Sequence, residues 1–259
     1  MSAAAERVVL ITGAARRVGA ALARGLAADG WRVAIHHRGG ADEAQALAQV
    51  IGDAGGQAET FAADLAIPAQ REGLIPAVVA RFGRIDALIN NASLFRYDTL
   101  QSLTEASWRD HVDANLTAPV FLIRDFAAAV EQAKGQGCVV NILDHKIDTP
   151  NPDFFAYTAG KVGLAGLTPT LALALAPRVR LNGVAPGLIL RSGDQTDAEY
   201  EAAWRDTPLG RGAGLDDVLG AVRFILSAPA LTGQIITLDG GESLIRRGRD
   251  VAFDPGLKA

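Results

Sequence analysis

The sequence has one cysteine in 259 residues, Cys138, which excludes an internal disulfide framework and any zinc site built from several cysteines. A single thiol fits a reducing compartment. Its place in the apolar run Cys138-Val139-Val140-Asn141-Ile142-Leu143 marks it as buried and structural. An excess of positive charge is also missing: a net charge of −4 gives no electrostatic reason to expect nucleic acid as a partner. No internal repeat, low-complexity tract or linker divides the chain. Met1 to Arg7 lack the cationic segment and long apolar stretch of a secretory signal, so a cytoplasmic protein is expected. No membrane span is expected either: the most apolar stretch, Val162 to Ala176, is short for one, begins beside Lys161 and contains Pro169. A helix apolar on all sides must be buried, so this one is expected to serve as core and as subunit interface, with a kink or local adjustment at Pro169.

What is present suits one large core. Hydrophobic residues make up 49 % and charged residues 21 %, and one α/β domain over 1–259 is expected at this length. Short apolar runs at Val8 to Thr12, Arg32 to His36, Gln57 to Ala62, Ala87 to Asn90, Cys138 to Leu143, Arg180 to Val184 and Ile235 to Leu238 predict strands. Between them, helical patterns cover Val18 to Asp29, Asp42 to Asp53, Ala69 to Phe82, Glu105 to Gln132, Tyr157 to Ala176 and Leu215 to Ala228. This alternation predicts a doubly wound parallel sheet with helices on both faces, and ligands beyond the carboxyl ends of its strands. The polar, interrupted segment Leu188 to Pro208 is expected to be a substrate-covering excursion with a short helix at Asp197 to Asp206. The tail after Leu244, with Arg246, Arg247 and Arg249, is expected to contact a neighbouring subunit.

The first strand is followed by Thr12-Gly13-Ala14-Ala15-Arg16-Arg17-Val18-Gly19, a turn that places backbone amides at a helix N-terminus, where a pyrophosphate is attracted. Arg16 and Arg17 could equally decorate a surface turn. Where an NAD-selective fold would place an acid, the second strand ends in His36-His37-Arg38. Cations there suit a 2′-phosphate, so NADPH is expected over NADH, with Arg17 and Arg38 as phosphate partners. Asp64-Leu65 and Asn90-Asn91-Ala92-Ser93 follow the third and fourth strands and are expected along the same groove. Tyr157 and Lys161 stand at i and i+4, one helical face, where an ammonium can lower a phenol from its usual pKa of about 10 toward neutrality.

Together, the glycine turn, Asp64, Asn90-Asn91-Ala92, Asn115, Tyr157 with Lys161, and Pro186-Gly187 resemble the short-chain dehydrogenase/reductase family over nearly the whole chain. The resemblance implies a seven-stranded Rossmann-type sheet and a nicotinamide cofactor held by Gly13, Arg16, Arg17, Val18, Gly19, His37, Arg38, Asp64, Leu65, Asn91, Ala92, Ser93, Pro186 and Gly187. It implies that Tyr157 is the proton donor, that Lys161 binds ribose and tunes Tyr157, and that Asn115 supports a water-linked relay while kinking its helix. Two departures narrow the family. Arg17 stands at the middle glycine, and Asp144, thirteen residues before Tyr157, stands at the usual catalytic serine. Both are similar to the pteridine reductase branch, including dihydromonapterin reductases, as is Asn91-Ala92-Ser93-Leu94-Phe95, where Phe95 would stack a pterin against the nicotinamide. That likeness implies substrate contacts from Arg17, Ser93, Phe95, Asp144, Tyr157 and Leu188. Phe95 could also be a packed loop aromatic, and Asp144 an exposed turn residue.

An ionised carboxylate accepts hydrogen bonds where a serine hydroxyl donates to a carbonyl, so Asp144 suits a substrate that carries ring N–H groups and takes a proton at nitrogen. Asp144 is expected to share that proton task with Tyr157. The leading expectation is an NADPH-dependent pteridine reductase that assembles as a homotetramer. The alternatives are a carbonyl reductase acting on a sugar, steroid or acyl ketone, and a noncatalytic NADPH-binding sensor, against which Asn115, Tyr157 and Lys161 argue.

Overall fold

The runs rich in Val and Ile form one sheet, because β-branched side chains buried on both faces leave a parallel strand as the economical backbone. The structure is a computed structural model and describes residues 7–191 and 195–253. Its strands are β1 (Val8–Ile11), β2 (Arg32–His37), β3 (Gln57–Ala62), β4 (Ala87–Asn90), β5 (Gly137–Ile142), β6 (Val179–Pro186) and β7 (Ile235–Leu238). They lie in the order β3-β2-β1-β4-β5-β6-β7, all parallel, with Ile11 level with Ile35 on one side and Ile89 on the other. The chain winds outward from β1 to β3 and then returns to β4, so the connections leaving β1 and β4 diverge. That divergence opens the crevice in which such folds bind ligands.

Helices cover both faces. On one, α1 (Arg17–Ala28), α2 (Ala41–Asp53) and α8 (Leu215–Ser227) bury Leu22, Leu26, Leu47, Val218 and Val222 with Val9, Ile11 and Ile89. On the other, Ile75 of α3 (Pro68–Phe82) and Leu122 and Phe126 of α5 (Ala118–Gln132) pack with Leu10, Leu88 and Val139. Cys138 lies in the first of these clusters, and burial pushes its thiol up to about 11, as expected of a structural cysteine. A third cluster, Leu143, Leu164, Ala165 and Ala185, seats α6 (Phe155–Leu175) beside β6. Among the described residues α6 is the one helix apolar and long enough to cross a membrane, yet it is docked along the sheet and carries Tyr157 and Lys161 in its buried first turns. It runs unbroken through Pro169, and the Thr168 hydroxyl donates to the Leu164 carbonyl at 3.0 Å beside it.

The single helix expected over Glu105 to Gln132 is interrupted. It forms α4 (Glu105–Val112), a π turn (Asp113–Thr117) and then α5. Such insertions gather at functional sites, and here the widened turn carries the buried Asn115. In the excursion after β6, α7 (Asp197–Arg205) starts with a Thr196–Glu199 capping box and is tied down by Tyr200, which donates to the Ile189 carbonyl at 2.7 Å. Ser192, Gly193 and Asp194 of this excursion lie outside the described residues. Two of the three arginines of the tail bond carboxylates of the same chain, Arg247 to Asp206 and Arg249 to Asp153, while Arg246 is exposed.

Candidate active site

At the crevice the ends of β1 and β4 are stitched together. The Thr12 hydroxyl accepts from the amides of Asn91 and Ala92, both at 2.9 Å, and the Asn91 side chain donates back to the carbonyls of Thr12 and Gly13 at 2.9 and 3.1 Å. Gly13 has φ +62°, and a Cβ there would lie 2.9 Å from the Ala92 Cα. A Cβ on Gly19 would lie 2.5 Å from the Gly13 carbonyl oxygen. Only glycine fits at either position, because the end of β4 and the start of α1 pack directly against the backbone of the turn.

His36 corrects its sequence-level grouping with the cations. It lies inside β2, where Nδ1 accepts from the Gly13 amide at 3.0 Å and Nε2 is 3.0 Å from the Ala63 carbonyl, a geometry that requires the neutral ring with its proton on Nε2. Burial, against the pull of the Ala63 carbonyl, lowers it to about 4. His36 is therefore a strut under the glycine turn. His37 is buried with Nδ1 unpartnered, and Arg38 is exposed just past the strand. Arg16 is 3.6 Å from Glu43, while Arg17 is exposed and donates to the Arg191 carbonyl at 3.1 Å, bridging the turn and the excursion. Arg17 also has φ +55°, the left-handed region that glycine fills without strain and that costs another residue about 1 kcal/mol. Val18 packs on the core, Asp64 accepts from the Ala66 amide at 3.0 Å, and the Leu65 side chain is buried on the opposite face of the sheet. Gly187, after Pro186, donates to the Leu238 carbonyl at 2.8 Å, and Leu188 beyond it is half-buried. A turn closed to Cβ atoms, with exposed Arg17 and Arg38 and no acid ending β2, fits a dinucleotide bearing a 2′-phosphate.

Asp144, Tyr157 and Lys161 come together where β5 meets α6. Asp144 follows β5, and its Oδ1 accepts from the Lys146 amide at 2.9 Å, which aims Oδ2 at Tyr157; the phenol donates to it at 2.7 Å. Lys161 donates to the Ile142 carbonyl at 2.7 Å. These contacts reverse the expected tuning of the tyrosine. Burial and then the Asp144 charge push the Tyr157 phenol well above its ordinary value. Burial lowers Lys161 to about 8, with Asp144 opposing, and its ammonium lies 5.7 Å from the centre of the tyrosine ring. The Lys161 ammonium is thus bonded to the Ile142 carbonyl, and the Tyr157 phenol keeps its proton in the bond to Asp144.

Asn115 is 1 % exposed and binds the loop after β4: its Oδ1 accepts from the Ser93 hydroxyl at 3.0 Å and the Leu94 amide at 2.9 Å, and its Nδ2 donates to the Leu94 carbonyl at 2.9 Å. The π turn therefore fixes the segment that presents Phe95. That ring remains 43 % exposed, stacks on Phe154 (centroids 4.2 Å apart) and meets Tyr157 edge-on at 4.7 Å. Phe95 thus packs on one side and offers area on the other. Sequence reading missed Phe154, Tyr97 and Phe253, which extend this wall, and Asp153 beneath it. The adjacent aromatics Phe154-Phe155 just ahead of Tyr157 were the available signal. Of the two residues after Asp144, His145 lies 3.6 Å from Glu242 and Lys146 reaches away toward Asp250.

Residues 7–201 match the family model for short chain dehydrogenases. An uncharacterized oxidoreductase of Methylorubrum extorquens is 34 % identical over 93 % of this chain and 99 % of its own length. A 3-oxoacyl-[acyl-carrier-protein] reductase of Synechocystis sp. is 35 % identical over 93 % of this chain and 98 % of its own. Among solved structures, FolM alternative dihydrofolate reductase 1 of Brucella suis, in complex with NADP, is 41 % identical with a TM-score of 0.89, covering 94 % of this chain and 97 % of that one. The corresponding Brucella canis protein, also complexed with NADP, gives the same identity and TM-score.

Proposed function

Since this chain belongs to the short-chain dehydrogenase family of oxidoreductases, we propose that it is an NADPH-dependent pteridine reductase, acting on a dihydropterin or dihydrofolate-type ring. The observation that carries the reading is the 2.7 Å bond from the Tyr157 hydroxyl to Asp144. A carboxylate at that point accepts from ring N–H or amino groups, and a carbonyl substrate offers it nothing. The 41 % identity to the FolM structures, against 35 % to the 3-oxoacyl reductase, supports the same substrate class.

NADPH, when bound, supplies the hydride; Gly13, Gly19 and the Asn91-Ala92 backbone would hold it, with Arg17 and Arg38 toward its 2′-phosphate. Tyr157 passes its proton to the substrate nitrogen and takes a replacement from solvent, while the Asp144 carboxylate accepts from the phenol and from the N–H groups of the ring. Lys161 orients the ribose, and Phe95 gives the flat ring a surface. The enzyme is read as a cytoplasmic homotetramer.

The alternative is reduction of an acyl ketone, which the full-length likeness to 3-oxoacyl reductases favours. A panel of dihydrobiopterin, dihydromonapterin, dihydrofolate, an acetoacetyl thioester and simple ketones, each followed by NADPH absorbance, separates the two. Turnover of the thioester with none of the pterins would overturn the pteridine reading.

A further inference from the structure

Behind the reacting cluster, the last described residues fold back onto the loop between Asp144 and α6. Lys146 is 2 % exposed, and its ammonium donates to Asp250 Oδ2 at 2.8 Å and to the Asp153 carbonyl at 3.0 Å. Asp153 is 1 % exposed and accepts from Arg249 through both carboxylate oxygens at 2.7 and 2.8 Å, from the Asp250 amide at 2.9 Å and from the Tyr97 hydroxyl at 3.3 Å. Two buried charges of opposite sign thus find their partners in the tail, and buried charges are kept only where such partners are in place.

The tail is bound next to the most constrained backbone of the site. Phe154 caps α6 with φ +54°, a conformation that a bulky residue adopts only where its surroundings dictate it. Those surroundings are the clasp itself: Asp153 precedes it, the Lys146 ammonium lies 5.0 Å over its ring, and Phe253 lies 6.0 Å from it and 4.7 Å from Tyr97. Phe154 in turn backs Phe95. We propose that the segment Arg249–Phe253 is a specificity element of the same active site: anchored on Lys146 and Asp153, it holds Phe154 and through it the aromatic wall against which a flat substrate lies. None of its hydrogen bonds reaches the Tyr157 hydroxyl, the Asp144 carboxylate or the glycine turn. The segment therefore positions the wall, and it reaches the Tyr157 phenol only through the charge of Asp250, the last and smallest of the causes that raise it. The flat-ring part rests on the pteridine reading; the clasp does not.

The test uses the full chain with Asp250→Asn, Phe253→Ala and Phe253→Tyr, in two measurements. With dihydrobiopterin and NADPH, Asp250→Asn and Phe253→Ala should raise KM by about tenfold while kcat changes by less than about threefold, the pattern of lost ground-state binding. NADPH affinity should stay at the wild-type value, and Phe253→Tyr should restore KM. Amide exchange read by mass spectrometry should quicken over 145–155 in Asp250→Asn and stay unchanged over 8–37. Unchanged KM together with unchanged exchange would overturn the clasp, as would a fall in kcat at constant KM. If the wild-type enzyme leaves the pterin untouched, the pteridine reading fails and the exchange measurement alone decides the clasp: faster exchange supports it, unchanged exchange ends it. Should Asp250→Asn not fold, KM and exchange of Phe253→Ala decide in the same way.

Discussion

Tyr157 sits where a phenolate is penalised twice, first by burial and then by the Asp144 charge 2.7 Å away. A phenol raised in this way keeps its proton through neutral pH, so it can donate in reduction but is scarce as a base in the reverse reaction. The reverse oxidation should therefore climb steadily as pH rises above neutrality, and a reverse rate at pH 7 equal to that at pH 10 would contradict the assignment. Tyr157→Phe should lower kcat/KM for a dihydropterin by about 10²- to 10⁴-fold, the range typical of a lost general acid. Asp144→Ser should depress pterin reduction strongly while sparing any side activity on ketones, and unchanged pterin turnover would remove the special task given to this carboxylate. His36 supplies a second pH effect, on stability. Its folded value of about 4 lies below the ordinary 6.5, so the unfolded chain takes up the proton first. Stability is then fully present above about 6.5, falls as pH drops from there to about 4, and loses about 3 kcal/mol over that window. Chemical unfolding at pH 7, 5.5 and 4 measures this slope, and His36→Gln, which cannot titrate, should flatten it.

The β1–α1 turn and the end of β2 divide cofactor binding into two separable parts. Arg38→Asp should weaken NADPH by about 10- to 100-fold, the value of a charged hydrogen bond, and leave NADH nearly unaffected. Gly19→Ala should weaken both cofactors alike, because its Cβ would lie 2.5 Å from the Gly13 carbonyl and must displace the turn itself. Equal losses of the two cofactors in Arg38→Asp would contradict the assignment of the 2′-phosphate. At this scale the sequence was highly legible. The strands announce themselves as β-branched runs, and β3, β4 and β7 match their expected bounds, while β1 and β2 differ by one residue at one end. Glycine, Tyr157 and Lys161 could be placed because their chemistry is local in sequence. What sequence hid depends on distant partners. The π turn interrupts no apolar periodicity; the kink expected at Asn115 marks its place, but its form depends on Asn115 bonding Leu94, 21 residues away. The tuning of Tyr157 runs opposite to the expectation drawn from Lys161 because burial, and then the charge of Asp144, expected only as a partner in proton transfer, both raise the phenol. The clasp joins Asp153 to Arg249 across 96 residues, and no local pattern announces such a pair.

For the whole molecule, α6 poses a requirement that one chain does not meet. Its inner face is filled by β6 and the core, yet Val162, Leu167 and Leu173 are 42, 37 and 81 % exposed, and Gly166 and Pro169 between them are exposed as well. Positions 162, 166, 169 and 173 recur at helical spacing and make one apolar stripe. No atom lies within 4 Å of a Cβ built on Gly166, so a partner backbone could approach closely there. Trp108 on α4, 38 % exposed and 6.5 Å from the Phe155 ring, widens the patch. A stripe of this kind can pair with its own copy about a twofold axis, and covering what remains exposed would contribute about 1 kcal/mol each for Val162 and Leu167 and about 2 kcal/mol for Leu173. Light scattering at micromolar concentration should therefore find at least a dimer, and the homotetramer proposed above if a second face pairs as well. The double variant Val162→Glu with Leu173→Glu should dissociate it while leaving the far-ultraviolet circular dichroism intact, since both side chains point away from the core. Because Tyr157 and Lys161 ride on the same helix, dissociation should also lower kcat, tying activity to protein concentration. A wild-type protein that stays monomeric, or a charged double variant that still assembles, would show that this face of α6 is not the contact.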